Sequence, residues 1–241
     1  MLHTRTSAGP VAANLAVTRD DVEHAERLVH DTYVARGLRD AMSHAAARPG
    51  SAAVFVARID GAVGATLSLL PDSTRGLPVD ALYRAELAAL RASGRRLAEV
   101  GALAVGRPWR GAALALVRPL VQLVGIYARD LRGVDELCIA VHPRHAPFYE
   151  RGFGFTRFGA EKAYGAVKGA PAVGLRLDLH RPPVAGALSG VLFPPNEIAR
   201  IRAALDRDLR RSAAAVGPLM QMLQFGEAPR PLEHCVAMEV C

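Results

Sequence analysis

Glu99 is the one carboxylate in an otherwise apolar, β-compatible run, Arg96 to Val105, RLAEVGALAV. A strand this apolar belongs inside a sheet covered on both faces, where an unpaired carboxylate costs several kcal/mol unless it has a partner or a task. Burial there raises a carboxyl pKa, which suits a group that accepts a proton near neutrality; the alternative is a structural ion pair with one of the many arginines. Side-chain alternation puts Glu99 on one face with Gly101 and Leu103, and Ala98, Val100 and Ala102 on the other, so Gly101 leaves room beside the acid. The next residues, RPWRGAA (Arg107 to Ala113), form a basic, glycine-containing loop that runs into a helical pattern. Backbone amides of Gly111, Ala112 and Ala113 at or near a helix start, with Arg107 and Arg110 beside them, suit an anionic phosphate; a plain exposed loop with solvated arginines has the same sequence.

Other side chains offer less. His142 and His145, in HPRH, have the look of a metal pair, but no third ligand or second cluster accompanies them, so no metal site is expected and contact with substrate or backbone capping accounts for them. Cys138 sits mid-strand between apolar residues, as a small core residue does. No serine or cysteine lies in a nucleophile-elbow phrase, which points away from a covalent intermediate. Tyr149, in a short helical phrase, reads equally as a proton donor or as core, and Tyr33 as core.

The elements that must carry these residues follow from periodicity. Residues before about Ala13 are expected to be a lead-in without regular structure, followed by a brief strand at Asn14 to Val17. Thr18 with Asp21 three residues on marks a helix start, and Val22, Ala25, Val29 and Tyr33 continue at helical spacing to a stop at Gly37. Ser51 to Ile59 and Ala62 to Leu70 read as a hairpin around Asp60-Gly61. In its second strand Val63, Ala65, Leu67 and Leu69 form a core face, while Gly64, Thr66 and Ser68 floor a cleft or face solvent. A turn-rich loop, Pro71 to Pro78, leads to a helix striped by Val79, Tyr83, Leu87 and Leu90. Gly111 to Leu131 carries a strong helical pattern interrupted by Pro119, so that helix is either kinked or begins near Leu116. Strands at Glu136 to Val141 and Ala172 to Leu179 complete a sheet. After Pro182-Pro183 a helical tail follows, with Ile198, Ile201, Leu205 and Leu209 on one side and Arg200, Arg202, Arg207 and Arg210 around the rest.

At 241 residues, 51% hydrophobic and 22% charged, the chain fills one large domain or a domain plus an extension. The start lacks the basic n-region and roughly 7–15-residue apolar core of an export signal. No uninterrupted apolar run approaches the roughly 18 residues of a membrane helix. The three cysteines, Cys138, Cys235 and Cys241, imply no disulfide framework, and a cytoplasmic setting is expected. The net charge of +7 is almost all arginine, dispersed and without aromatic interleaving, so nucleic acid is not expected. An acidic protein or a phosphate-bearing molecule fits the charge, and the arginine-rich tail leaves room for peripheral membrane contact.

The order strand, helix, hairpin, helix, acid-bearing strand, basic loop, helix, strand, helix, strand resembles the GNAT acyltransferase fold. The phrases VFVARIDGAVGATLSLLPDSTRGLP, ALYRAELAALR, RRLAEVGALAV and AVHPRHAPFYERGFGF are similar to the long-chain N-acyl amino acid synthases, relatives of the acyl-homoserine-lactone synthases. The resemblance runs from about Val17 to Leu179. It implies an α/β (α+β) GNAT-type fold, a mixed, mostly antiparallel sheet flanked by helices, as a catalytic domain over 1–181 with a helical extension over 182–241. It further implies transfer of a fatty acyl group from a thioester donor, carried on acyl carrier protein, to the α-amine of an amino acid, with no permanently bound cofactor. Within it, Glu99 is the base, Tyr149 the donor of a proton to the departing thiolate, and backbone N–H groups around Leu103 to Val105 the oxyanion partners. Arg107, Arg110 and Gly111 to Ala113 face the donor, and Gly101, His142 and His145 the acceptor. The acetyl-CoA branch of the fold carries Q/R-x-x-G-x-G/A here; Arg110 stands where the first glycine would be, which favours the phosphopantetheine of a carrier protein over acyl-CoA. Two other readings stay open: a CoA-dependent N-acetyltransferase on a small amine, and a non-catalytic acyl-binding module.

Overall fold

The structure, a computed structural model, describes residues 1–6, 9–38, 52–181 and 192–220. Ser51, Pro182-Pro183, Cys235 and Cys241 lie outside the described residues. Local chemistry sets most boundaries. The Thr18 hydroxyl accepts the Asp21 N–H at 3.1 Å and starts helix α1 (Arg19–Ala35) as the sequence predicts. Asp60 and Gly61, with φ of 51° and 79°, make the tight turn between β3 (Ala53–Ile59) and β4 (Ala62–Pro71). The remaining elements are α2 (Asp80–Ala92), β5 (Leu97–Val105), α3 (Ala113–Ile126), β6 (Glu136–Val141), α4 (Ala146–Phe153), β7 (Thr156–Arg157), β8 (Lys162–Tyr164), β9 (Ala170–Asp178) and α5 (Ile198–Met220).

Two departures from the sequence expectations concern the N-terminus and the long helix α3. The first residues are not a lead-in: β1 (Leu2–Thr6) and β2 (Gly9–Leu15) form an antiparallel hairpin, and β2 extends the sheet along β3. Val11 and Ala13 are fully buried, so this edge is held by apolar packing that the short, irregular pattern concealed. Pro119 neither delays the long helix nor ends it. A tight 3-10 turn (Arg107–Ala112) leads into α3, which passes through Pro119 and finishes in a π-turn over Tyr127–Leu131. The missing proline N–H costs one helical hydrogen bond; burial of Leu116, Leu120, Leu123 and Ile126 against the sheet outweighs it. By length and composition Arg107–Leu131 would suffice to cross a membrane, but its apolar side is spent on the sheet.

The strand order is β1-β2-β3-β4-β5-β6-β9-β7, with β8 also on β9, and every pairing is antiparallel except β5 with β6. Helices cover both faces. One layer packs α3, α4 and Ile201 and Leu205 of α5 beneath the sheet. The other packs Val29 and Tyr33 of α1 with Tyr83 and Leu87 of α2 above it. Sheet residues of either parity are therefore buried, and Thr66 and Ser68, on the polar side of β4, face α1 and α2 rather than solvent. The predicted stripe of α5, Ile198, Ile201, Leu205 and Leu209, is the side that packs on the core.

This layering sets a contrast within one helix. Leu120→Ala should lose about 2–5 kcal/mol of stability, because Leu120 is fully buried. Leu114→Ala, at a position 62% exposed, should stay within about 0.5 kcal/mol of wild type. Urea unfolding of the two variants measures both; equal losses would show that α3 does not pack as described.

Candidate active site

The site begins where two parallel strands part. β5 and β6 pair only at Leu97 with Glu136, Ala98 with Leu137 and Glu99 with Cys138. Beyond Glu99, β6 stays paired to β9 as far as Val141, while β5 stays with β4 as far as Val105. The sheet is thus open between β5 and β6 from Glu99 onward. Backbone groups on that edge of β5, including the stretch Leu103 to Val105, have no strand partner there among the described residues. A ligand threaded through this opening would meet Glu99 at its vertex.

A bulge shapes the edge. Ser68 of β4 stands opposite Gly101 while Thr66 stands opposite Ala104, so β5 carries one extra residue between them. Ala102 takes the strain with φ of 53°, a conformation L-residues avoid. The bulge reverses the expected alternation. Ala102 and Ala104 join Leu97 and Glu99 on the α1/α2 side, whereas Leu103 and Val105 join Val100 on the α3/α4 side. Leu103 therefore does not share a face with Glu99, and Ala102 does, contrary to simple period-2 counting. Small residues, Gly101, Ala102 and Ala104, line the acid's side of the opening.

Glu99 itself is 3% exposed. Its Oε2 accepts the Val79 N–H at 2.8 Å, and among the described residues no arginine pairs with it. Burial is the dominant influence and pushes its pKa up; the Val79 N–H pulls it down and the nearby Asp80 charge raises it, leaving it at about 8. The ion-pair alternative fails because the neighbouring arginines are engaged elsewhere. Arg91 holds Asp72 at 2.6 Å and Asp80 at 2.6 Å, and Arg95 holds Glu136 at 3.0 Å. The first of these clusters is what delivers Val79. Asp72 and Asp80 sit at the two ends of the loop after β4, and Arg91 of α2 ties them together. Gly76, at φ of 77°, lets the loop close on Asp80, whose Oδ2 would lie 2.6 Å from any Cβ there. The Asp80 carboxylate also accepts the Leu77 N–H at 2.6 Å. Sequence reading marked this stretch only as turn-rich; the charges of Asp72, Asp80 and Arg91, eleven or more residues apart in part, were the available signal.

On the same face, Ser68 is 4% exposed and its Oγ has no hydrogen-bond partner among the described residues. It stands opposite Gly101 in the β4–β5 register, two residues along β4 from Leu70, the partner of Glu99. Thr66 beside it donates to the Phe55 carbonyl at 3.0 Å and is structural. At the far end of β5, the Gly106 N–H donates to the Gly64 carbonyl at 2.9 Å and the Trp109 N–H to the Gly106 carbonyl at 2.9 Å. Trp109 packs on the core and so anchors the loop, leaving Arg107, Arg110 and Gly111 exposed and Ala112 and Ala113 half-buried at the start of α3.

The structure places Tyr149 on the other side of the sheet. It is buried among Phe148, Phe153 and Phe155 and lines a narrow apolar crevice with Val100, Leu103, Val121 and Ile139. Glu99 and Tyr149 therefore flank the opening between β5 and β6 from opposite layers. The His142 Nδ1 accepts the Arg144 N–H at 3.2 Å, so His142 caps the turn before α4. The Arg144 Nε–H donates to His145 Nε2 at 3.1 Å. No group of three metal-ligating side chains occurs among the described residues. Cys138 is buried in the core and its thiol is pushed far above the usual range by desolvation, which makes it inert.

Residues 24–178 match the family model of N-acyl amino acid synthase FeeM. The structure of FeeM, an N-acyl amino acid synthase from uncultured soil microbes, is 34% identical in sequence, superposes with a TM-score of 0.63, and is matched over 70% of this chain and 91% of that one. A putative N-acetyltransferase from Lactobacillus plantarum shares the fold at 17% identity and a TM-score of 0.50, over 70% of this chain and 98% of its own. The AHL synthase LasI, at 17% identity and a TM-score of 0.48, is matched over 76% of this chain and 94% of that one. No curated protein matches the sequence.

The raised Glu99 pKa has a stability consequence with a definite sign. Folding favours the neutral acid, so its contribution is whole below the ordinary value of 4.5 and is lost as pH rises to about 8. Relative to Glu99→Gln, wild-type stability should be level below pH 4.5, fall by about 1.4 kcal/mol per pH unit at most between these limits, and level off above. Urea unfolding across pH 4–9 measures this. A difference that stays flat throughout would mean Glu99 is ionised in the folded protein.

Proposed function

The chain belongs to the FeeM family of N-acyl amino acid synthases and is an acyltransferase, and we propose that it moves a fatty acyl group from the phosphopantetheine thioester of acyl carrier protein to the α-amine of an amino acid. The observation that carries this reading is Glu99, a buried carboxylic acid with a pKa of about 8 at the vertex of the β5–β6 opening. An amine must lose a proton to attack a thioester, and a base whose pKa lies near the operating pH is suited to take it.

The two layers divide the work. The acceptor enters on the α1/α2 side, where Gly101 and Ala102 leave space and the Ser68 hydroxyl offers a polar contact. The thioester lies through the opening, its carbonyl toward the free edge of β5, where backbone N–H groups near Leu103 to Val105 meet the developing oxyanion. The amine nitrogen bonds to the carbonyl carbon and its proton passes to Glu99. The tetrahedral centre then collapses with cleavage of the C–S bond, and the thiolate takes a proton from Tyr149 on the opposite side. Amide and free thiol result. The acyl tail follows the apolar crevice beside Tyr149. The pantetheine arm runs toward the start of α3, where Arg107, Arg110 and the amides of Gly111 to Ala113 receive its phosphate. The same exposed arginines suit the acidic surface of a carrier protein. His142 and His145, expected to face the acceptor, stand instead at the turn before α4, where His142 caps the backbone.

Purified protein offered matched acyl-carrier-protein and acyl-CoA donors, with a panel of amino acids and detection of N-acyl products by mass spectrometry, tests the reading. The carrier-bound donor should be used with the higher kcat/KM, and Arg110→Glu should raise its KM with little change in kcat. Preference for acyl-CoA would reassign the donor. Glu99→Gln should lower kcat by about 10²–10⁴ and abolish a pH dependence that rises through about 8. Unchanged turnover in that variant would remove Glu99 from the mechanism.

A further inference from the structure

The crevice that would receive the acyl tail encloses only about 30 Å³, roughly the volume of one water molecule. Its walls belong to β4, β5, β6, α3 and α4, together with Phe155 just after α4 and, from much farther along the chain, Leu192. That residue lies beyond residues 24–178, the part of the chain shared with the synthase family, and comes from the segment before α5. Leu192 is nevertheless as buried as the core itself. It reaches the crevice because α3 carries Gly125 at the point of contact. The Leu192 Cδ2 would stand 3.1 Å from a Cβ there, and its carbonyl oxygen 3.6 Å, so the leucine side chain packs tightly on the bare glycine backbone.

The segment is clamped from outside. The Arg129 guanidinium lies 3.9 Å over the Phe193 ring. Asp130, next to it, pairs with Arg129 at 2.6 Å and with Arg202 of α5 at 3.7 Å. At the far side of the sheet Asp208 of α5 accepts the Leu15 N–H at 3.3 Å. Beneath these polar contacts Leu192, Phe193, Ile201 and Leu205 pack on the core. Leu192 is the crevice wall supplied from beyond residues 24–178.

We propose that Leu192 is the end stop of the acyl crevice: it sets the length of acyl chain accepted, and longer chains enter only by displacing it from Gly125. The proposal rests on the acyl-transfer reading above and adds a specificity determinant supplied by the C-terminal segment. Leu192→Ala removes about three carbons' worth of wall and should lengthen the preferred acyl chain by about that many carbons. Leu192→Trp should shorten it.

Two measurements on the full chain decide it. The first is product chain length by mass spectrometry when mixed acyl donors compete. The second is the thermal shift given by free saturated fatty acids of graded length, which needs no turnover. In both, the optimum should move to longer chains in Leu192→Ala and to shorter chains in Leu192→Trp. An optimum that does not move in the fatty-acid series, or the absence of any fatty-acid binding, overturns the proposal. A wild type that binds fatty acids in the expected order but makes no N-acyl product would instead overturn the catalytic reading and leave the stop in place. Should Leu192→Ala unfold, Leu192→Val keeps the test, with a smaller shift in the same direction.

Discussion

A single backbone N–H, that of Val79, stands between Glu99 and an unsupported carboxyl in the core. Much of the upper layer exists to keep it there. The loop from Pro71 to Val79 would have no reason to hold one conformation by apolar packing alone, since its middle is exposed. Arg91 supplies the constraint by binding Asp72 and Asp80 at once, and α2 then covers the acid. One hydrogen bond is a deliberate middle level of support. A carboxyl with several N–H donors would be locked as a carboxylate and a poor base, and one with none would ionise only at still higher pH. An arginine in place of the N–H would have the first effect more strongly.

The second constraint is the short pairing of β5 with β6. Parallel strands usually run side by side for their shared length, and here they do so for three residues. The β5 bulge belongs to this departure: it bends the strand away while Ala102 accepts an unfavourable φ. Strain of this kind costs roughly 1–3 kcal/mol and persists only where the surroundings impose it. Here β4 imposes it from one side through the Ser68–Gly101 and Thr66–Ala104 pairs. The outcome is an opening that connects two chemically different layers. The upper has a titratable acid and a buried hydroxyl; the lower has aromatic and branched apolar side chains. A reaction that joins a polar amine to a long apolar chain needs both environments within bond-forming distance of each other.

The C-terminal segment adds Leu192 to the walls of the lower-layer crevice and packs Leu192 and Phe193 against Gly125 of α3. The family's shared region does not include it, so chains with the same catalytic core need not have the same end to their crevice.

Residue pattern alone determined the acid-bearing strand, the hairpin, the amphipathic helices and the basic loop, because each depends on neighbours a few positions away: alternation, helical spacing, a cap at Thr18, a turn at Asp60-Gly61. The family phrases around Glu99 and from Ala140 to Phe155 made the chemistry legible as well. Tertiary structure decided what depends on distant partners. The N-terminal hairpin forms because β3 offers it an edge, and α3 passes Pro119 because the sheet beneath stabilises it. The bulge, which moved Leu103 away from Glu99 and Ala102 toward it, arises from register with β4 and leaves no mark in a period-2 count. Val79 reached the acid through charges at Asp72, Asp80 and Arg91, and Leu192 reached the crevice across a sequence gap to Gly125. Local spacing identifies which residues have the right chemistry; only the closed fold determines which of them meet, because contact between distant segments is set by packing and register, not by proximity along the chain.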